Sequence, residues 1–127
     1  MIRILLVGVG GGIGAILRYL MSGAVQRAAG GVVFPFGTFA VNVVGCFTIG
    51  FLYFLAEAHG MLSDRSRAFL ITGILGGFTT FSAFANESVY LLRDGEMLLG
   101  GLNIAGQVTL CLLATWLGRN TAFLFWR

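Results

Sequence analysis

Polar side chains are scarce in this sequence, and several stand inside long apolar runs at spacings suited to handling an ion. Asn103, Gln107, Cys111 and Thr115 follow one another four residues apart, a spacing that keeps them on one slowly drifting helix face. Such a row reads as a wet stripe, whereas a single member would read as interhelical glue. The segment GGFTTFSAF at 76–84 brings the hydroxyls of Thr79, Thr80 and Ser82 beside Phe81 and Phe84. Asn42 lies in a second apolar run, Arg18 near the end of a first, and Glu87 three residues past Phe84. The positive edge of an aromatic ring can touch a small anion without the full charge that would trap it.

Each residue also has a plainer use. Asn42 can tie two helices together, and the phenylalanines can simply pack. Arg18 can snorkel to the membrane interface or hold a cation at the mouth of an aqueous vestibule. Glu87 stands either deep in a helix or beside a water-filled cavity, and periodicity does not choose between them.

The elements that must carry these residues follow from composition. The 127 residues are 57% hydrophobic and only 10% charged, against about 25% charged in a soluble domain. The bilayer is therefore the expected solvent. Residues 4–17, 28–56, 68–86 and 97–118 contain no Asp, Glu, Lys or Arg, and a spanning helix needs roughly 20 mostly apolar residues. We read four membrane helices, at about 4–26, 35–57, 67–92 and 97–124, in one transmembrane domain over 1–127. The first helix resembles a signal sequence in outline, and three further spans favour its retention. The second is expected to open with Pro35 in its first turn. In the third, Gly76-Gly77 followed by β-branched Thr79-Thr80 is poor helix material. A break there would free carbonyl oxygens at membrane depth, where irregular backbone is tolerated only if buried in protein or lining a cavity. Freed carbonyls can coordinate a cation.

Several functions are excluded or disfavoured. All eight basic residues are Arg and the net charge is +3, but they are scattered at helix ends rather than clustered as nucleic-acid binding requires. Arg3, Arg65, Arg67, Arg127 and, less clearly, Arg119 fall on one side; Arg18, Arg27 and Arg93 fall on the other. So small a difference specifies orientation weakly. Gly10, Gly12 and Ala15 satisfy the loose dinucleotide-binding pattern, but its acidic residue about 20 positions on is missing, since Glu57 is the first acid in the chain. The pairs Gly8/Gly12 and Gly10/Gly14 instead suggest a smooth face for close helix packing. Cys46 and Cys111 are expected as reduced thiols within spans, and His59 as a solvated loop residue. No motif suggests an enzyme.

The segments GGGIGAILRY at 10–19, PFGTFAVNVVG at 35–45 and TGILGGFTTFSAFANE at 72–87 together resemble the Fluc fluoride channels, also called the CrcB family. The resemblance covers essentially the whole chain. It implies an all-α membrane protein with four transmembrane helices per subunit and a broken third helix, assembled as an antiparallel, dual-topology homodimer. It implies two fluoride pores and a structural sodium ion at the dimer centre, held by main-chain carbonyls that map to Gly76 and Thr79. The pore phenylalanines map to Phe81 and Phe84, the pore asparagine to Asn42 and the vestibule arginine to Arg18. Ser82 belongs to the pore segment, Glu87 is the third-helix glutamate, and a polar track on the fourth helix ends at Thr115. Ala83 and Ala85 stand where relatives often carry hydroxyls, and Cys111 where Ser is common.

The function so implied is passive fluoride export across the plasma membrane, the inner membrane of a bacterial-type cell, relieving fluoride toxicity. Its partners would be fluoride, a second copy of the chain and the bilayer. Two other readings use the same composition. A small proton-coupled multidrug exporter would depend on Glu87 as its embedded carboxylate. A non-transporting assembly subunit would bind another protein and pass no ion.

Overall fold

The computed structural model describes residues 1–58 and 60–126; the reading of His59 falls outside them, as does the sidedness of Arg127. Four helical spans are long and apolar enough to cross a membrane: Ile2–Ala28, Phe36–Glu57, Asp64–Arg93 and Met97–Phe125. These match the expected spans to within a few residues at each end. The described residues are helical with short connections and contain no strand. Large apolar side chains such as Ile4, Leu5, Leu98 and Leu112 point outward, as lipid-facing positions should.

Helix α1 (Ile2–Ala28) and helix α2 (Phe36–Ala58) are joined by a turn in which Gly30 and Gly31 take φ values of 76° and 72°. That left-handed backbone is open to glycine without the steric penalty of a Cβ. Gln26 clasps the turn: its Nε2 donates to the carbonyls of Val32 and Phe34, at 2.9 and 3.1 Å, and its Oε1 accepts from the Gly37 amide at 3.1 Å. Pro35 lies just before α2 rather than in its first turn, and its carbonyl accepts from the Phe39 amide.

The third span is composite. Helix α3 (Asp64–Arg67) opens with Ser63 accepting from the Ser66 amide, then Ala68–Leu75 winds as a wide π-type helix, and α4 (Gly76–Phe78) adds one short turn. The backbone then extends through Thr79 and Thr80, and α5 (Phe81–Arg93) begins. Gly76 and Gly77 themselves remain helical, so the interruption falls just after the glycines, on the β-branched pair. The break also changes the span's neighbours. Before it the span packs on α1; after it α5 packs on helix α6 (Met97–Phe125), while α2 and α6 form the most extensive helix pair.

Close approach explains part of the glycine pattern. Gly10 and Gly14 are buried, and a Cβ at Gly14 would collide with the Ile74 carbonyl oxygen. Gly8 and Gly12 have no atom within 4 Å of such a Cβ, so only one of the two expected pairs packs within the chain. At one end of the α2–α6 pair, Phe51 meets Trp126 and Phe54 meets Phe123 edge-on, with centroids 5.8 and 5.9 Å apart. Arg119 pairs with Glu57 at 3.3 Å and Arg3 with Asp64 at 2.7 Å. Arg119 therefore joins Arg3 and Arg65 on the side of the 58–66 loop.

Candidate functional site

The break is held by Asn42 on α2. Its Oδ1 accepts from the Thr80 amide at 2.9 Å, and its Nδ2 donates to the Thr80 carbonyl at 3.1 Å. In a continuous helix the Thr80 amide would close on Gly76 O, and the Ala83 amide on Thr79 O. The first is taken by Asn42, and the second goes to Thr80 Oγ1 at 3.2 Å, which caps α5. The carbonyls of Gly76 and Thr79 are thus among those that lose their helical donors at the break, together with those of Gly77 and Phe78. Thr79 packs its methyl group so close to Gly45 that a Cβ there would collide with it. The smallness of Gly45 lets the extended segment lie against α2.

Asn42 also donates to Gln107 Oε1 at 2.7 Å; Gln107 Nε2 donates to Asn103 Oδ1 at 3.0 Å, and Asn103 Nδ2 to Ser88 Oγ at 2.9 Å. Ser88 in turn donates to the Phe84 carbonyl at 2.7 Å. Asn103 is 0% exposed and Gln107 3% exposed. The expected wet stripe is therefore split. Its first two members are buried ties binding α6 to α5 and α2, which is the satisfied state that buried amides require. Its last two, Cys111 and Thr115, line an open groove. A lone serine in a helix, as Ser88 is along the chain, carries no signal until Asn103 is placed opposite.

That groove, about 350 Å³ in volume, is bounded by Asn42, Thr79, Thr80, Phe81, Phe84 and Thr115, with Cys46, Gln107 and Cys111 among its other walls. Phe81 and Phe84 stand edge to face, with centroids 5.3 Å apart. Phe84 is buried at 8% exposure, whereas Phe81 projects from the chain at 77%. Thr115 Oγ1 donates to the Cys111 carbonyl within its own helix, and the residue lines the groove. Ser82, exposed at the start of α5, stands 3.3 Å from Thr80 Oγ1.

A second groove, of about 590 Å³, brings Arg18, Tyr19 and Ser22 of α1 together with Thr38, Thr80 and Glu87. Glu87 Oε1 accepts from Thr38 Oγ1 at 2.6 Å, while its buried Oε2 has no protein partner. Of the two placements open for Glu87, the structure selects the cavity wall. Thr80 borders both grooves, so the break separates an aromatic, thiol-bearing groove from a charged one. Among the described residues no cluster of three or more His, Cys, Asp or Glu could hold a metal ion through side chains.

The model of the family described as CrcB-like protein, Camphor Resistance (CrcB), matches residues 5–119. The chain belongs to the CrcB family. The match takes in the break and every residue placed at the two grooves. Among curated relatives, a fluoride-specific ion channel FluC of Rhizobium etli is 48% identical over 118 residues, covering 93% of this chain and 94% of the relative. A FluC of Geobacter sulfurreducens is 46% identical with the same coverage. FluC 3 of Methanosarcina barkeri is 43% identical over 122 residues, covering 96% of this chain and 91% of its own. This CrcB-family chain is accordingly a multi-pass membrane protein, and the candidate site lies where its third span is broken.

Proposed function

We propose that the chain is a fluoride-selective channel that lets the ion leave the cell passively across the plasma membrane. The observation that carries this reading is the break itself: hydrogen-bond donors, two phenylalanine edges and an arginine-bearing groove converge on Thr79-Thr80 in a family whose curated members are named fluoride-specific. Hydrogen fluoride enters cells as a neutral acid, ionises and is trapped. A channel returns the anion outward under a negative interior potential, with no covalent step and hence no enzyme.

In this reading Arg18 gathers anions at the second groove, and the ion passes Thr80, the edges of Phe81 and Phe84, and the hydroxyls of Ser82 and Thr115. Asn42 has spent both amide hydrogens on Thr80 and Gln107. To touch the ion it exchanges its bond to Gln107 for one to fluoride. Glu87 borders the charged groove as an acceptor facing incoming water and ions. The larger chloride ion sheds water more easily but gains less from the same few donors and fits the aromatic path poorly.

The channel is proposed to be an antiparallel homodimer. Three features support a second copy at the break: Phe81 is mostly uncovered, Gly76 and Ser82 are exposed, and the Gly8/Gly12 face is open. The weak arginine bias suits insertion both ways round. The carbonyls of Gly76 and Thr79, deprived of their helical donors, fit a hard monovalent cation such as sodium. Bound there, the ion would supply the positive charge that holds carbonyl dipoles of two subunits together.

Efflux from liposomes tests the reading. Vesicles loaded with potassium fluoride or potassium chloride, holding the purified dimer and treated with valinomycin, should release fluoride rapidly and chloride little. Folded dimeric protein that releases neither anion refutes it.

A further inference from the structure

Cys46 of α2 and Cys111 of α6 are the only cysteines in the chain. Both are half-buried, both line the groove that carries Phe81, Phe84 and Thr115, and their thiols lie close enough to interact across the α2–α6 seam. Two sulfurs on neighbouring helices, facing one open space, form a preorganised pair. The backbone holds the pair firmly: directly along the seam, Gly50 lies against the Thr115 carbonyl and Gly118 against the Phe47 carbonyl, with no room for a Cβ at either glycine.

We infer that Cys46 and Cys111 form a two-thiolate site for a soft divalent cation of the mercuric class, and that its occupancy obstructs the groove. Sulfur ligands select soft metals. Among the described residues no third His, Cys, Asp or Glu joins the pair, so ions that demand four protein donors are poorly served. Mercuric ion is content with two sulfurs. Its binding breaks two S–H bonds, forms two S–Hg bonds and releases two protons, with no change of oxidation state. The product is a neutral bis-thiolate. Neutrality matters at membrane depth, where a residual charge without a counterion is strongly disfavoured. A soft monovalent cation on the same two thiolates would leave one negative charge in the groove. The resulting bridge would sit beside Phe84 and Thr115, replacing a compact thiol pair by a large atom and cross-linking α2 to α6.

The blocking half of this inference rests on the channel reading; the binding half does not. The test treats detergent-purified dimer with one equivalent of mercuric nitrate per chain in chloride-free buffer, then passes it through gel filtration with excess monothiol. Intact mass spectrometry should find one mercury per chain, with both cysteines closed to maleimide. Retained mercury should fall at least about tenfold in Cys46→Ser and in Cys111→Ser, because each leaves a single bond in place of a chelate. Cys46→Ala and Cys111→Ala provide second versions should either serine variant misfold. Equal retention by wild type and single variants overturns the site. In liposomes, treated wild type should lose most of its own untreated fluoride efflux, while Cys46→Ser keeps most of its own. Bound mercury with undiminished efflux overturns the obstruction. Untreated wild type that passes no fluoride refutes the channel reading instead, and the mass measurement still decides the site.

Discussion

Replacing Asn42 with Leu tests whether one side chain holds the third span open. Leucine keeps the branched shape and the number of heavy atoms, with somewhat bulkier ends, but three hydrogen bonds disappear: Thr80 amide to Oδ1 at 2.9 Å, Nδ2 to the Thr80 carbonyl at 3.1 Å, and Nδ2 to Gln107 at 2.7 Å. Interhelical hydrogen bonds in membranes average about 0.6 kcal/mol, and typical protein bonds reach about 1.5 kcal/mol. Three of them sum to roughly 2–4 kcal/mol, or roughly a 30- to 1000-fold bias against the broken conformation at about 1.4 kcal/mol per decade. The Thr80 amide also regains a local alternative, since it can close on Gly76 O and extend the helix. That closure would remove the freed carbonyl as well as the bend that delivers α5 to α6. Fluoride efflux from liposomes should therefore fall at least about 30-fold, the lower end of the bias from three lost hydrogen bonds, and the sodium-dependent stabilisation proposed for the wild-type dimer should be absent from the variant. A variant with efflux within about threefold of wild type, less than the loss of one typical hydrogen bond at 1.4 kcal/mol per decade, and an unchanged response to sodium would refute the argument. The break would then be imposed by the threonines and by Gly45 alone.

The two phenylalanines should separate by burial. Phe81→Ala removes a side chain that is 77% exposed within the chain, so efflux should drop far more than the thermal midpoint of the solubilised protein. Phe84→Ala empties a packed site at 8% exposure and should cost about 3 kcal/mol in stability, read as a large fall in thermal midpoint by size-exclusion assay. Gly118→Ala should also destabilise, by about 1–3 kcal/mol for overpacking, because its Cβ would meet the Phe47 carbonyl across the α2–α6 seam. The same assay checks it, and an unshifted midpoint would mean that the seam relaxes freely.

The sequence by itself determined the solvent and the number of spans. With 10% charged residues there is no polar coat for a water-facing surface, and four charge-poor stretches must each close their backbone hydrogen bonds internally, as helices. It also located the weak point of the third span, because a glycine pair followed by two β-branched residues raises the local cost of helix. The π-type winding of Ala68–Leu75 left no such mark, since its residues are ordinary apolar ones and its register is set by packing on α1. Nor did sequence separate the members of the polar stripe. Asn103, Gln107, Cys111 and Thr115 share a spacing, and spacing alone places them on one face. Only the packing of α5 and α2 against that face buries the first pair in hydrogen bonds and leaves the second pair on a groove. Glycine pairs were undecided for the same reason: Gly10/Gly14 and Gly8/Gly12 are alike along the chain, and they differ in whether another helix arrives. Local composition governs what a segment tolerates, but which tolerance is used depends on neighbours distant in sequence. Asn42 and Thr80, 38 residues apart and joined twice at the break, became a pair only when α2 met the third span.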